Sequence, residues 1–183
     1  MVECAVAFSP RPVRLFAQDE SRLGLHEGQT HRWLSAPGVK PLQKVLPRYE
    51  YFWLYGAVEP ATGESFFLEM PALDTPCFQA FLTEFGRSYP ESLNLLVLDG
   101  APAHIAGRLI VPENVLLVRL PAYSPELNPV ERLWQDLRAR LGSELPASLE
   151  ALKEKTAQQI RAYTAEVLAS LCGYDYFLQT LAP

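Results

Sequence analysis

A chain of 183 residues with 49% hydrophobic and 20% charged residues has the balance of a soluble globular domain with one sizeable core, and no apolar run reaches the roughly 18 residues of a membrane span. The net charge of −5 excludes a uniformly basic nucleic-acid binder, but the charge is uneven, with +2 over residues 1–50 and −7 over residues 51–183. The opening MVECAVAFSPRPVR lacks the pattern of a signal peptide, and Cys4, Cys77 and Cys172 are scattered without a CxxC, which argues against a disulfide framework or a zinc site and for reducing cytosol.

VRLFAQDE (13–20) reads as a buried strand ending on polar residues, and residues 21–34 are placed to return beside it as a second strand. The segment 31–48, HRWLSAPGVKPLQKVLPR, holds Arg32, Lys40, Lys44 and Arg48 and no acid, a local basic strip able to meet a phosphate backbone. YFWLYGAVEPATGESFFLEMP (51–71) predicts a hairpin, its aromatic and β-branched runs flanking the turn residues Pro60, Ala61, Thr62 and Gly63. A helix follows with Asp74 or Thr75 as N-cap, Pro76 near its first turn, and Phe78, Phe81, Leu82 and Phe85 on one face. LNLLVLD (93–99) is a continuous apolar run suited to a strand covered on both faces; PAHIAGRLI is a short helix and VLLVRLP (115–121) another strand. Helices over about 129–141 and 148–162, and a short one near 164–172, complete the chain. A strand-rich first half and an alternating second half predict a mixed sheet with helices packed on it, α/β or α+β, in one domain over 1–183.

Asp19 ends the first apolar run, Asp99 ends the strand 93–99 and is followed by Gly100, and Glu131 stands near the start of the helix after the next strand. Acidic side chains at strand ends, beside a glycine that lets the backbone turn, are typical of sites at the lip of a sheet. Where those strands are neighbours the three carboxylates converge and raise one another's proton affinity, a conflict that a divalent cation resolves. Oxygen donors without a His/Cys cluster favour Mg2+ or Mn2+ over zinc. Glu131 also has a plainer reading as part of a capping box, with Asn128 as N-cap, Pro129 at N1 and Glu131 reaching back to the Asn128 backbone. Val130, Leu133, Trp134, Leu137 and Leu141 make the apolar stripe of this helix, and Glu131 lies on its flank, where it can look across a sheet edge. Both roles are permitted.

Three blocks in order, LFAQDESRLGLH (15–26), LLVLDGAPAHIA (95–106) and LPAYSPELNPVERLWQDLR (120–138), resemble the catalytic domain of DDE-type transposases, in the bacterial insertion-sequence branch related to the mariner elements. The intervening YFWLYGAVEPATGESFFLE and CFQAFLTEF are similar to that branch too, and the likeness runs from about residue 12 to the end. The third block is the most specific. The resemblance implies that Asp19, Asp99 and Glu131 are the catalytic carboxylates and the metal ligands. It implies a ribonuclease-H-like α/β fold, a mixed five-stranded sheet with helices on both faces, in which Asp19 and Asp99 sit on adjacent strands. The implied chemistry is DNA cleavage and strand transfer with two Mg2+ or Mn2+ ions, by attack of water or a 3′-hydroxyl and without a covalent protein intermediate. The implied partners are double-stranded DNA, as transposon ends and target, and by analogy a second copy in a homodimer. The implied setting is the cytoplasm, at the nucleoid when acting, with no membrane. Full-length relatives carry an N-terminal helix-turn-helix region that reads the element's ends; nothing in residues 1–183 resembles it, so a DNA-recognition domain is expected to be encoded separately or missing. Gly100 stands where the family commonly has an asparagine, and the Asp99–Glu131 spacing is slightly short for the family.

Other residues have plainer readings. Glu20 points to the face opposite Asp19 and is expected in solvent or a salt bridge. His104 either approaches the scissile phosphate or caps and packs; His26 and His31 read as surface residues. Asn128 is the N-cap first and an orienter of Glu131 second. Trp33 stacks on a splayed base or fills a hairpin core, and Trp134 is core. Arg132, Arg138 and Arg140 are phosphate contacts beside Glu131 or solvated helix residues. Two further functions stay open: an inactive transposase remnant that binds DNA or a partner, and a metal-dependent nuclease or phosphohydrolase with a non-DNA substrate.

Overall fold

β1 (Val13–Gly24) outruns the apolar segment that announces it, continuing through Asp19 and Glu20. Residues 21–24 extend this first strand and do not return beside it, so Asp19 lies within a strand and not at its end. Pairing is the reason. β2 (Tyr51–Val58) runs antiparallel to β1 from Ala17 opposite Val58 to Gly24 opposite Tyr51, which satisfies the polar stretch along that whole side. On its other side β1 pairs in parallel with β4 (Leu93–Leu98) only as far as Ala17 opposite Val97, leaving the second half of β1 as an overhang. β3 (Ser65–Met70) and β5 (Val115–Arg119) complete a mixed five-stranded sheet in the order β3-β2-β1-β4-β5. The computed structural model describes residues 9–25, 49–105, 107, 109–121, 124–142 and 146–179, so the strip of Arg32, Lys40, Lys44 and Arg48, with His26, His31 and Trp33, lies outside the described residues.

The β2–β3 hairpin forms where expected. Gly63, at φ 74°, supplies its left-handed residue, and a Cβ there would lie 1.8 Å from the Ala165 carbonyl oxygen. Arg14 of β1 ties the turn down, donating to Glu59 through Nε and Nη2 at 3.1 and 2.6 Å and reaching Glu64.

Helices cover both faces, as expected. α1 (Thr75–Ser88) starts on Asp74, whose carboxylate accepts the Cys77 N–H at 2.9 Å. Its Phe78, Phe81, Leu82 and Phe85 pack with Phe16, Leu96 and Leu98 on one face of the sheet. The other face takes α3 (Val130–Leu141), α4 (Leu149–Ala162), α5 (Ala165–Cys172) and α6 (Asp175–Gln179), packed on Leu15, Ala17, Leu95 and Val97. α2 (Pro102–Ile105) is a single turn after β4. Even-numbered residues of β1 and β4 thus face α1, and odd-numbered residues face α3. No helix among the described residues is long and apolar enough to cross a membrane.

Gly56 of β2 stands directly opposite Asp19, and its missing side chain makes room for the Trp134 ring. A Cβ at Gly56 would lie 2.7 Å from Trp134 Cη2 and 2.9 Å from Phe67 Cε1. Gly56→Ala should therefore destabilise the protein by about 1–3 kcal/mol, the usual penalty for overpacking. Urea denaturation measures it, and a variant as stable as the wild type would show that the ring has room to move.

Candidate active site

Asp19 projects from β1 toward α3. Its Oδ2 accepts the indole N–H of Trp134 at 2.9 Å. Trp134 is 1% exposed, so it is core as expected, but its one polar atom is spent on this carboxylate. Burial, then the negative charges of Glu20 and Glu131, push the Asp19 carboxyl up to about 8, against the pull of its hydrogen bonds to the Glu20 backbone and Trp134. Asp19 and Glu131 are therefore close enough to feel each other's charge.

Glu131 is in the first turn of α3, where the helix N-terminus favours an anion. The cap forms with Asn128 and Pro129 in the expected places: Pro129 already has helical dihedrals, as N1 should. Asn128, 4% exposed, accepts the Val130 N–H at 3.2 Å, the bond of an N-cap, and donates through Nδ2 to the Gln18 carbonyl at 2.9 Å. One side chain thus pins the start of α3 to the residue before Asp19. Asn128 thus serves as the N-cap and also fixes where the helix that carries Glu131 begins.

Asp99 follows the last residue of β4. The β1–β4 pairing ends at Ala17 opposite Val97, two residues short of Asp19 and Asp99, so each aspartate lies just beyond the shared ladder. Its Oδ1 accepts the Ala101 N–H at 2.9 Å and meets His104 Nδ1 at 2.9 Å. The His104 bond is the main cause holding the Asp99 carboxyl below its ordinary range. Gly100 is not in the left-handed region, and a Cβ on it would meet nothing within 4 Å. The backbone turn after Asp99 therefore does not require glycine, contrary to the expectation from sequence.

His104 is corrected in one respect. Its side chain is 1% exposed, with Nδ1 on Asp99 and Nε2 on Glu20 Oε1 at 2.9 Å, so neither nitrogen faces a phosphate. The packing reading holds. Burial alone would lower its proton affinity, but the bonds to Asp99 and Glu20 outweigh it and hold His104 up to about 9, as an imidazolium donating to two carboxylates. Glu20 does lie opposite Asp19 in a salt bridge, and it is buried, its side chain 4% exposed.

The structure places Asp19 and Glu131 within electrostatic reach of each other, while Asp99 lies past the end of β4 with its Oδ1 held by His104. Among the described residues no three His, Cys, Asp or Glu side chains are grouped closely enough to hold a metal as they stand. The donor set still fits a hard divalent cation: only carboxylate oxygens, one of them an anion whose surroundings oppose its charge. Of the arginines, Arg132 is exposed beside Glu131 with its guanidinium 5.4 Å from the Tyr174 ring. Arg138 donates to Ser21, and Arg140 pairs with Asp136. Sequence reasoning missed the Trp134 and Gln18 contacts; the spacing of Glu131 and Trp134, three apart on one helix, was the available signal.

A carboxyl raised in the folded state stabilises the fold below its ordinary value near 4, and that stability is lost as pH rises toward 8. In metal-free buffer Asp19→Asn should gain on the wild type between pH 5 and 8, by at most about 1.4 kcal/mol per pH unit. Paired urea melts across that range test this; a difference that does not vary with pH contradicts it.

Comparison with known proteins places this geometry. The profile of the DDE superfamily endonuclease family matches residues 14–153, from β1 into α4. The uncharacterized protein y4pE/y4sA of Sinorhizobium fredii (strain NBRC 101917 / NGR234) is 44% identical over 87 residues, which are 47% of this chain and 64% of that protein. Among solved structures, the Mos1 transposase paired-end complex with left transposon end superposes with a TM-score of 0.66 at 19% identity, covering 94% of this chain and 55% of that one. A pre-cleavage Mos1 transpososome gives 0.67 at 16% identity, again over 94% and 55%. The chain spans under two thirds of the curated relative and little over half of the solved ones. At such identities the structural likeness establishes the fold, a ribonuclease-H-like mixed sheet with helices. With the family profile running through every strand of that sheet, the chain belongs to the DDE superfamily of endonucleases.

Proposed function

We propose that this chain is the catalytic core of an insertion-sequence transposase, cleaving DNA strands and joining them to a target through Asp19, Asp99 and Glu131. The observation that supports it most is the parallel pairing of β1 with β4, which ends two residues before Asp19 and Asp99 and so leaves both aspartates just past the same end of a shared ladder, with Glu131 within electrostatic reach of the first. The Mos1 structures are named as complexes with transposon ends and with Mn or Mg. By extension, the substrate here is double-stranded DNA and the cofactor a pair of Mg2+ or Mn2+ ions.

Asp19, Asp99 and Glu131 would hold those ions, which when bound supply Lewis-acid stabilisation of phosphoryl charge and an activated water or 3′-hydroxyl. The chain's own residues provide the rest. Trp134 fixes one oxygen of Asp19, Asn128 sets where α3 begins relative to β1, and α3 carries Glu131 in its first turn. Arg132, next to Glu131, is a candidate phosphate contact, as are Arg32, Lys40, Lys44 and Arg48. These contacts would orient the duplex without reading its sequence. A homodimer holding two DNA ends belongs to the same proposal.

The test is nicking of supercoiled plasmid by the purified chain with Mn2+ or Mg2+. Glu131→Gln and Asp99→Asn should each lower the rate at least about a hundredfold, some 2.7 kcal/mol of barrier, while Glu150→Gln, on the surface of α4, should not. Equal nicking by the wild type and Glu131→Gln would sink the assignment.

A further inference from the structure

We propose that His104 and Glu20 are a positioning pair that fixes the orientation of the Asp99 carboxylate from the α1 side of the sheet. The inference rests on the reading of Asp19, Asp99 and Glu131 as a cation-binding set.

Asp99 alone is poorly constrained. It lies past the end of β4, its side chain is 56% exposed, and the adjacent Gly100 offers no side chain to lean on. Two bonds restrict it, from the Ala101 N–H and from His104 Nδ1, and both fall on Oδ1, so they select one rotamer while Oδ2 carries neither. His104 has no comparable freedom. Its ring is buried against Phe78, with centroids 4.2 Å apart, and its Nε2 is held by Glu20. Glu20 is fixed in turn: the same Oε1 accepts Gln18 Nε2 at 2.8 Å. A chain of contacts therefore runs from an exposed carboxylate into the core under α1.

Stability alone does not account for this chain. Desolvating an imidazolium and a carboxylate costs about as much as their attraction returns, and apolar residues of similar size commonly serve as well or better. What such a pair supplies is direction. Glu20 follows Asp19 on the same rigid strand, so the link 20–104–99 also ties the placement of Asp99 to that of Asp19. Because His104 is buried and both its nitrogens are engaged, it cannot touch substrate. It acts through Asp99.

The variants separate direction from mere burial. The amide of His104→Asn can stand in for Nδ1 and keep the bond to Asp99; that of His104→Gln stands in for Nε2 and keeps only the Glu20 side. Mn2+ binding to the DNA-free chain, read by the electron paramagnetic resonance signal of unbound Mn2+, is compared with urea stability in EDTA. His104→Ala and His104→Gln should weaken Mn2+ binding by about tenfold or more, the usual effect of losing a partner of a metal ligand. His104→Asn should recover most of that loss although it leaves Glu20 with one partner fewer. Glu20→Gln, which preserves shape, should weaken binding in the same direction and guards against a His104 variant that fails to fold. If Asp99→Asn abolishes binding while His104→Ala and Glu20→Gln bind like the wild type, the positioning role is wrong and the cation site stands. Recovery by Gln and not Asn also overturns it. If the wild type binds no Mn2+, the cation reading fails and takes this inference with it.

Discussion

The Asp19 carboxylate is held where burial and two neighbouring anions oppose its ionisation, and much of the surrounding structure serves to keep it there. β2 has no side chain opposite it, because Gly56 vacates that space for the Trp134 ring. The ring in turn spends its only N–H on Asp19 Oδ2. Asn128 anchors the helix that carries Trp134 and Glu131 to the carbonyl of Gln18, one residue before Asp19. A fold optimised for stability alone would fill this position with an apolar residue, since a buried polar group without full compensation costs free energy. The arrangement makes sense if a cation completes it.

Strand alternation divides the remaining work. On β1 the odd-numbered side faces α3 and presents Asp19 and Ser21, which bond Trp134 and Arg138. The even-numbered side faces α1 and presents Gln18 and Glu20, which bond each other and, through Glu20, His104. Two consecutive residues thus act on opposite faces of one sheet. A shift of one residue in the register of β1 would exchange Asp19 and Glu20 and dismantle both networks at once. The antiparallel ladder to β2, which runs from Ala17 to Gly24, is what prevents that slip, and so an otherwise ordinary hairpin strand determines the chemistry of its neighbour.

The elements that periodicity or turn chemistry marks were legible in the sequence. The hairpin around Gly63, the Asp74 cap, the Phe stripe of α1 and the apolar stripe of α3 all stand where the pattern put them. The extent of β1 was not legible, because Asp19, Glu20 and Arg22 interrupt its apolar run, and only pairing with β2 decides that the strand continues. α6 escaped for a similar reason: it is too short to show a period, and its Phe177 is buried through tertiary packing. The three acidic positions could be picked out from where the apolar runs end and a helix begins, although Asp19 lies inside β1. Their supports could not. Glu20 and His104 are 84 residues apart, and Asn128 and Gln18 are 110 apart, separations at which no local pattern indicates a contact.

Gly100 shows how the supports and the site are linked. A glycine after a strand-ending aspartate suggests a turn that needs left-handed backbone, yet this residue does not adopt it, and the space where its Cβ would stand is empty. Backbone geometry therefore does not demand glycine here. The consequence falls on Asp99, which among the described residues gains no support from a side chain at position 100. Restraint must come from elsewhere, and the contacts present come from its own turn, through Ala101, and from His104 beneath. In a chain with a hydrogen-bonding side chain at position 100 the task would be shared. With glycine there, the orientation of the second aspartate depends on a histidine that never meets solvent and on the glutamate that anchors it.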